Sequence, residues 1–540
     1  MSDSPGPNAA PPTAIRRRLP PALLFVVLMT VYLTNEGPIP IRDTLVNTYL
    51  PVRFLVDGSL TFTPRDTPFL FAWTLEEPYR TKWEFQRREG MTDLVVESWD
   101  SEILGKRAWE LADEGILKVS RPLYALTPST REGRYVSIYG PGAGLSAVPY
   151  FGALALIKGN WRENSRILWG EARVFASACI AGSAVVLYFT LMLLLPQGPS
   201  IALSLLYGLG SCVWCEPTQM LWQQTPTVLF VTLGLYFLMR LSEKPRFGAA
   251  CGLALGLAVL CRPTAGLLLM AAAIVVFIGE KKSRLPFVLG ALPPLLFLAG
   301  YNAWFLGSPF RFGQVAAAES LTAGADSASQ PSFVARAAGL LISPSRGLLV
   351  FSPFLGFAFW GAADSWKNHS RLALRALSVA FLAELVVASS WFSWHAGWSF
   401  GYRILVEWIP VLFLLLAPVV PRILRCKPLA ITFAALGLWS IGLQVLGAYG
   451  YLPDAWNARP AYEIEKAGQP VLVAEPPAEG GKKVPMDVDQ PRFQDRLWSV
   501  GDSQIVYLMS RPGVFAECAR EKRRSLEFAE RQKGGPPASR

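Results

Sequence analysis

The chain has 540 residues, of which 52% are hydrophobic and only 17% are charged, and its mean hydropathy is +0.31. A soluble protein has about a quarter charged residues, and this composition also excludes a disordered chain, a fibrous repeat and a secreted disulfide scaffold. Apolar runs of about 17–25 residues, the length that crosses a bilayer, recur from Leu19 to Gly450. The sequence therefore predicts a polytopic membrane protein.

The net charge of +11 does not indicate nucleic-acid binding, because the basic residues collect in short loops between apolar runs. Basic loops of this kind mark the cytoplasmic side of a membrane protein. The alternating loops, which are poorer in lysine and arginine, are then expected outside. We therefore expect membrane lipids, and no nucleic acid, among the partners of the chain.

The sequence of the first 139 residues predicts a single transmembrane helix followed by a long loop. Met1 to Pro12 is polar and Pro-rich, the arginines at positions 16–18 follow, and we expect residues 1–18 to be a disordered cytoplasmic segment. Residues 19–36 form the first predicted transmembrane helix, and no small-residue cleavage site follows that run. Residues 37–139 are then expected to be an extracytoplasmic loop with surface helices. One of these helices should begin near Asp43, be interrupted at Pro51 and end at Gly58.

The remainder of the chain predicts an all-α polytopic fold with about eleven transmembrane helices. Residues 140–450 form the multi-span region and residues 451–540 an extracytoplasmic tail or small domain. Pro141–Ile157 is expected not to cross, because a full crossing would place every later basic loop outside. The later spans are expected near residues 173–195, 199–215, 226–241, 247–261, 264–279, 285–305, 347–361, 374–391, 404–420 and 428–450.

Polar residues from distant parts of the chain are expected to converge on the outer side of this topology. A charged side chain at membrane depth costs about 2.5–3.5 kcal/mol on insertion scales, so such residues usually face a cavity. Alternatively, arginines at these places are interfacial anchors whose head groups reach the lipid phosphates. The residues concerned are Asp43, Arg53, Arg134, Tyr139, Arg173, Glu216, Gln219, Arg262, Arg346, His395 and Arg403.

Three motifs stand out among these polar positions. They are Ile41-Arg42-Asp43-Thr44, the stretch from Gly133 to Gly142, and the stretch from Trp391 to Arg403 that contains Trp394, His395 and Trp398. Aromatic rings beside polar donors suit a sugar, which has one apolar face and a rim of hydroxyl groups. The glycines in these motifs are not explained by an aromatic belt at the membrane surface.

In order and spacing, these motifs resemble the GT-C superfamily of membrane glycosyltransferases, which includes the protein O-mannosyltransferases and the aminoarabinose lipid A transferases. The resemblance covers roughly Arg16 to Gly450. Asp43 is similar to the family's acidic residue after the first span, and Tyr139-Gly140-Pro141-Gly142 is similar to a Tyr-Pro-Pro-Gly stretch. Arg173, Ser343-Pro344-Ser345-Arg346-Gly347 and Trp398–Arg403 are similar to a bacterial branch.

This resemblance implies a polyprenyl-phosphate-linked sugar as donor, and an envelope lipid, glycan or protein as acceptor. It implies a bacterial cytoplasmic membrane with the active site facing the periplasm or exterior. Asp43 is the expected catalytic base, and Arg173, Arg346 and Arg403 are expected to bind the donor phosphate. Expected substrate-binding residues are Arg53, Arg134, Tyr139, Glu216, Trp394, His395 and Trp398.

No metal ligand is assigned, although a divalent metal is possible through Asp100-Ser101-Glu102 or Asp487-Val488-Asp489. Relatives that carry paired acidic residues after the first span differ from this chain, in which Arg42 and Thr44 flank Asp43. The Cys212/Cys215 pair has no second Cys pair or histidine cluster to complete a zinc site. Asp43 also has a structural alternative, since it can cap the surface helix.

Two other functional classes stay open at this point. A multi-span transporter or flippase for an envelope lipid or glycan fits the break at Arg262-Pro263 and the charges in the spanning region. The absence of an internal repeat in the hydropathy and the presence of a large outer loop argue against it. A non-catalytic scaffold for envelope assembly is the third class, and the converging charges argue against it.

Overall fold

The structure is a computed structural model. It describes residues 14–35, 41–75, 85–86, 97–98, 108–157, 165–322, 331–368, 371–466, 469–473, 482–511 and 513–531. Residues 1–13 of the predicted disordered N-terminus and the candidate metal motif at Asp100 lie outside these ranges. The first helix begins at Ala14, within the N-terminal segment that the sequence predicts to be disordered, and the extent of that segment stays a prediction.

Helices make up most of the described chain, in agreement with the predicted class. In chain order they are α1 (Ala14–Leu33), α2 (Arg42–Asp57), α3 (Ala108–Asp113), α4 (Gly142–Ser146), α5 (Val148–Ile157), α6 (Ser165–Leu191), α7 (Gln197–Gly210), α8 (Gln224–Leu238), α9 (Arg246–Cys261), α10 (Gly266–Gly279), α11 (Arg284–Leu306), α12 (Gly313–Thr322), α13 (Phe333–Ile342), α14 (Leu348–Phe351), α15 (Gly356–Trp366), α16 (Leu372–Ser390), α17 (Ile409–Leu416), α18 (Val420–Arg425), α19 (Lys427–Gly450), α20 (Pro453–Asn457), α21 (Gln504–Met509) and α22 (Val514–Arg531).

Five helical segments of the described chain are long and apolar enough to cross a membrane. They are Leu168–Leu191, Lys281–Leu306, Leu372–Ser390, Arg403–Arg425 and Lys427–Gly450. Shorter apolar helices occupy other predicted spans, including Gln224–Leu238 and Arg246–Cys261. Every predicted span overlaps helical structure within the described residues, whereas the number of about eleven crossings stays a prediction.

The helix bundle has two ends, and each end contains its own set of ion pairs. At one end, which we call the basic end, Asp364 binds both Arg371 (2.7 Å) and Arg422 (2.5 Å). At the other, the site end, the start of α2 meets the loop before α17 through Asp43 and Arg403. The convergence predicted from the charge pattern is therefore present for the residues around Asp43.

Small residues allow α9 and α11 to approach very closely. Glycines recur at every fourth position of α9, at residues 248, 252 and 256. A Cβ atom on Gly252 would lie 2.1 Å from the carbonyl oxygen of Phe287, and one on Gly290 would lie 2.0 Å from that of Ala249. Helices pack in membranes through such small faces, because lipid offers no hydrophobic drive for their association. After this tight pair, α9 ends at Cys261, and a short 3₁₀ turn at Pro263–Ala265 links it to α10.

Strands occur in the two polar regions, so the chain is not all-α there. They are β1 (Phe71–Leu75), β2 (Phe85–Gln86), β3 (Glu97–Ser98), β4 (Leu117–Pro122), β5 (Leu126–Pro128), β6 (Tyr135–Ser137), β7 (Ala458–Lys466), β8 (Gln469–Val473) and β9 (Lys482–Asp487). The antiparallel pairs are β1–β4, β2–β3 and β5–β6, and β7 is the centre of a sheet with order β8-β7-β9. Helical periodicity in the apolar runs carried no information about these strands.

The predicted surface helix after the first span is present as α2, and Gly58 ends it with a left-handed φ of 60°. The predicted interruption at Pro51 is wrong, because α2 continues through that residue. Leu50 packs tightly on Gly144 of α4, where a Cβ atom would lie 2.7 Å from the Leu50 side chain. Tertiary packing of this kind offsets the hydrogen bond that proline removes.

The segment from Pro141 to Ile157 forms two short helices, α4 and α5, that lie beside α2. With ten residues, α5 is about 15 Å long, which is half the hydrocarbon thickness. Gly142 lies against the backbone of Leu260, where a side chain would be only 2.4 Å from the carbonyl group. The side of the membrane on which this segment lies stays a prediction.

Candidate active site

Asp43 lies at the start of α2 with its carboxylate buried in the protein. The residue is 8% exposed, and its Oδ2 forms an ion pair of 3.2 Å with Arg403. No donor in the described ranges forms a hydrogen bond to Oδ1, although that atom is buried. Ile41, and not Asp43, occupies the N-cap position of α2, so the capping alternative for Asp43 is not supported. One carboxylate oxygen is therefore free to accept a proton or a hydrogen bond from a ligand.

Arg403 stands where the chain enters a 3₁₀ turn that leads into α17. Its guanidinium donates to Asp43 and, at 2.6 Å, to the carbonyl oxygen of Ala396. It also lies 4.3 Å above the ring of Trp222, a position in which a cation is attracted by the aromatic face. The Nε of Arg403 is buried without a partner among the described residues. The arginine is thus held firmly while one of its donors is unused.

Three successive carbonyl groups, those of residues 395, 396 and 397, face two arginines. Ala396 accepts from Arg403, and the oxygens of His395 and Gly397 accept from Arg346 at 2.8 and 3.0 Å. This turn needs left-handed backbone at Ala396 (φ 63°) and Gly397 (φ 62°). For an alanine that conformation costs about 1–2 kcal/mol, which the arginine contacts offset. We call residues 395–397 the carbonyl turn.

Arg346 is fully engaged by the protein. Besides the carbonyl turn, it donates to Ser345 (2.9 Å) and to the side chain of Asn457 (2.9 Å), and it is 1% exposed. A guanidinium has five N–H groups, so most of its donors are occupied. Burial, the main cause, lowers the pKa of Arg346 to about 10. This geometry favours a role in holding the carbonyl turn over the predicted contact with the donor phosphate.

Glu216 brings a second buried carboxylate to the same place, from the loop between α7 and α8. It is 3% exposed, and its Oε1 accepts a hydrogen bond of 2.5 Å from the backbone N–H of Phe400. Burial raises the pKa of Glu216 to about 7, against the lowering effects of Arg403 and of the Phe400 N–H. A carboxyl group with this pKa changes its charge near neutral pH.

His395 and Tyr139 complete the buried polar groups around Asp43. Burial and the two arginines lower the pKa of His395 to about 3, so its imidazole is neutral. Its Nδ1 accepts a hydrogen bond of 3.2 Å from the N–H of Gly397. The pKa of Tyr139 is raised well above its usual value, mainly by burial and then by the charge of Asp43. Neither group is charged at neutral pH.

Arg173 belongs to a different cluster at the site end. Its guanidinium donates to the carbonyl oxygen of Tyr32 (2.7 Å) and to the side chain of Asn35. Asn35 in turn donates to Gln219 (2.5 Å) and to the carbonyl oxygen of Ala448. These contacts tie α6 to the end of α1, and the predicted phosphate contact of Arg173 stays a prediction.

Arg53 and Arg134 lie together but apart from Asp43. Arg53 forms ion pairs with Asp57 (2.5 Å) and Asp66 (2.8 Å). Arg134 donates to the hydroxyl of Thr61 at 3.2 Å, and the carbonyl oxygen of that threonine accepts from Arg53. The arrangement is that of a loop-stabilising network, so no contact supports the predicted substrate-binding role of these two arginines.

The two predicted sugar-binding tryptophans have unequal surroundings. Trp394 is 1% exposed and packs against Trp498 with ring centroids 6.3 Å apart. Trp398 is only half-buried, and its indole N–H donates to Asp487 at 2.9 Å. Only Trp398 therefore has a surface that a sugar can reach without rearrangement of the protein.

No group of three or more histidine, cysteine, aspartate or glutamate residues is placed to hold a metal ion within the described ranges. Asp487 is occupied by Trp398 and by the backbone N–H of Asp489 (2.9 Å), which leaves the Asp-Val-Asp motif without a ligand set. Cys212 and Cys215 are buried, with sulfurs 3.4 Å apart, and lie just before Glu216.

Three residues near the site were not singled out as site residues from the sequence. The ring of Trp222 lies under the guanidinium of Arg403, and Asn457 accepts a hydrogen bond from Arg346. The carboxylate of Asp489 lies 3.8 Å from the imidazole of His395. Trp222 lies in a loop that the predicted topology places outside, so its aromatic ring could have been identified from the sequence as a candidate site residue. Asn457 and Asp489 come from the C-terminal region, for which the hydropathy pattern gives no position.

Residues 169–304 match the model of a family described as dolichyl-phosphate-mannose-protein mannosyltransferase. The match covers about a quarter of the chain, from α6 to near the end of α11. It supports a membrane glycosyltransferase of the GT-C superfamily, as the sequence motifs suggested. No curated protein matches the chain.

The raised pKa of Glu216 predicts a pH-dependent stability. Its ionised form is disfavoured in the folded state, so the folded protein should lose stability as the pH rises from about 4.5, near the unfolded pKa, to about 7. Glu216→Gln removes this loss, and its Tm should exceed that of the wild type above pH 7 and equal it near pH 5. Thermal unfolding in detergent between pH 5 and 8 measures both, with the exposed Glu132→Gln as control. Parallel curves for wild type and Glu216→Gln would contradict the assignment.

Proposed function

We propose that this membrane glycosyltransferase of the GT-C type transfers a sugar from a polyprenyl-phosphate donor to an acceptor hydroxyl in the cell envelope. The observation that carries the proposal is the buried pair of Asp43 and Arg403, whose positions are 360 residues apart in sequence. The pair joins an acceptor-only oxygen without a partner to a cation with an unused donor. Those are the two groups that this reaction requires.

Asp43 acts as the general base in this proposal. The acceptor oxygen attacks the anomeric carbon, its proton passes to Oδ1 of Asp43, and the bond between that carbon and the phosphate oxygen breaks. The lipid phosphate leaves with the bonding electron pair, and one displacement inverts the anomeric centre. A positioned base contributes about 10²–10⁴-fold to such a rate. Tyr139, beside the carboxylate, is protonated at neutral pH and can donate to the sugar or to Asp43.

Arg403 is the cation that we assign to the departing phosphate. It pairs directly with the carboxylate of Asp43, and its remaining donor is suited to a phosphate oxygen. Arg346 positions it indirectly, because both arginines bind the carbonyl turn. Arg173 also has a buried Nε without a partner among the described residues, so it can assist only if the donor reaches the α1–α6 cluster.

The site is proposed to face the periplasm or exterior of a bacterial cytoplasmic membrane. The basic residues Arg371, Arg422 and Arg425 lie at the basic end, opposite Asp43. Because loops rich in lysine and arginine stay in the cytoplasm, the end that carries Asp43 is then outside. The acceptor is an envelope lipid, glycan or protein.

Asp43→Asn tests the base. Asparagine preserves the shape and one hydrogen-bond acceptor but cannot take the proton, so turnover should fall by about 10² or more. The measurement is transfer of radiolabel from synthetic polyprenyl-phosphate sugars to an envelope extract by the purified protein. Asp57→Asn, on the same helix but at the surface, serves as control and should keep wild-type turnover. Normal transfer by Asp43→Asn, at unchanged abundance and Tm, would exclude Asp43 as the base.

The proposed orientation is testable with the native cysteines. Cys426 at the basic end is exposed, whereas the other six cysteines are buried. A membrane-impermeant maleimide should therefore label the wild type only after cells are permeabilised. Gly501→Cys adds a thiol in an open position of the C-terminal region and should be labelled in intact cells. Labelling of Cys426 in intact cells, or of position 501 only after permeabilisation, would reverse the orientation.

A further inference from the structure

The C-terminal region forms several hydrogen bonds with the loop before α17, which contains the carbonyl turn. The indole of Trp398 binds Asp487, and Gln504 donates to the carbonyl oxygen of Ser399 at 2.7 Å. Arg346 binds Asn457, as described above, and Ser343 donates to the carbonyl oxygen of Leu497 at 2.6 Å. These contacts place the residues after β9 at the edge of the carbonyl turn, although they are far from it in sequence.

Asp489 is the residue that this region presents to the site. Its Oδ1 lies 3.8 Å from Nδ1 of His395, and its side chain is 49% exposed. A Cβ atom on Gly397 would lie 3.5 Å from the same oxygen, so the carboxylate rests against bare backbone. The surrounding protein, which removes part of the carboxylate from water, and then Asp487 raise the pKa of Asp489 to about 6, while Arg346 and Arg403 lower it. Asp489 therefore belongs to the electrostatic surroundings of Asp43 and is still reachable from outside.

The carboxylate of Asp489 has acceptor capacity that the protein does not use. Nδ1 of His395 accepts the N–H of Gly397, so it has no proton to give to Asp489. No other residue of the described ranges donates a hydrogen bond to the Asp489 side chain. Two acceptors thus face each other at 3.8 Å, an arrangement that a ligand with hydroxyl groups would satisfy.

We propose that Asp489 is a substrate-contacting residue that accepts hydrogen bonds from the hydroxyl groups of a saccharide acceptor. The proposal rests on the glycosyltransferase function given above and narrows its acceptor to a glycan. Asp489 and the half-buried Trp398 belong to the same edge of the site, and Asp487 links them. A carboxylate for the hydroxyl rim and an indole for the apolar ring face match the two surfaces of a sugar.

The saccharide is favoured over the other two acceptor classes by this chemistry. A lipid would need an apolar surface at this edge, and Asp489 is a charged, half-exposed group. A peptide would present N–H and C=O groups in equal number. The unused Nε of Arg403 is assigned to the donor phosphate, and the carboxylate oxygens that remain for the acceptor, Oδ1 of Asp43 and those of Asp489, only accept. The hydroxyl groups of a saccharide can donate hydrogen bonds to both carboxylates. The hydroxyl that donates to Asp43 is then the one that reacts.

The test measures label transfer to three fractions of the envelope: the delipidated, protease-treated saccharide fraction, the extracted lipids and the extracted proteins. The wild type should label the saccharide fraction. Asp489→Asn should raise the half-saturating concentration of that fraction about tenfold, since hydrogen bonds to an ionised acceptor are stronger than those to a neutral one. The KM for the donor and the Tm should stay unchanged, and Asp489→Glu should recover part of the affinity.

Asp495→Asn, an exposed carboxylate of the same region, is the matched control and should behave as the wild type. Labelling confined to the lipid or protein fraction, or an Asp489→Asn variant with wild-type saturation, would overturn the assignment of Asp489 while leaving the glycosyltransferase function intact. If the wild type transfers sugar to no fraction, the proposed function falls and the assignment of Asp489 falls with it.

Discussion

The ion pair between Asp43 and Arg403 is the interaction on which the arrangement of the site end depends. Both side chains are largely removed from water, at 11% and 13% exposure. Burial of two charges costs several kcal/mol per ion unless partners compensate. Here the compensation comes from the ring of Trp222 and the carbonyl oxygen of Ala396. The pair therefore requires that α2, the loop before α8 and the loop before α17 meet at one place.

The same requirement explains the strained turn at residues 395–397. Two buried arginines need oxygen acceptors, and the left-handed backbone of Ala396 and Gly397 aims three consecutive carbonyl groups at them. Strain of this kind persists where surrounding contacts determine the conformation, and it is typical of functional sites. The turn also leaves the edge over Gly397 open, which is where Asp489 approaches. The carbonyl turn therefore connects the proposed catalytic base, Asp43, with Asp489, the proposed contact for the acceptor.

Much of this organisation was predictable from the sequence, and the reasons for the rest are physical. The charge bias of the loops and the length of the apolar runs predict where the helices lie. They also predict that Asp43, Glu216, His395 and Arg403 lie at the same end of the bundle. They do not say which partner an arginine binds, so Arg173 and Arg346 were expected at the phosphate although their donors contact protein groups.

Local rules also failed where tertiary contacts decide. Pro51 does not interrupt α2, because packing on Gly144 holds the helix. Strands such as β7 and β9 pair through backbone groups in polar stretches that give no periodic signal. Asp489 was seen only as part of a possible metal motif, because nothing in its sequence neighbourhood reveals that β9 ends beside the carbonyl turn.

A double-mutant cycle on Asp43 and Arg403 tests the central claim most directly. The turnover of sugar transfer and the Tm are measured for Asp43→Asn, Arg403→Gln and the double variant. If the pair is one reacting unit, the double variant is no slower than the slower single variant, and the two losses do not add. Fully additive losses in turnover, or two single variants that lose Tm but keep turnover, would contradict the claim that this ion pair is the catalytic centre.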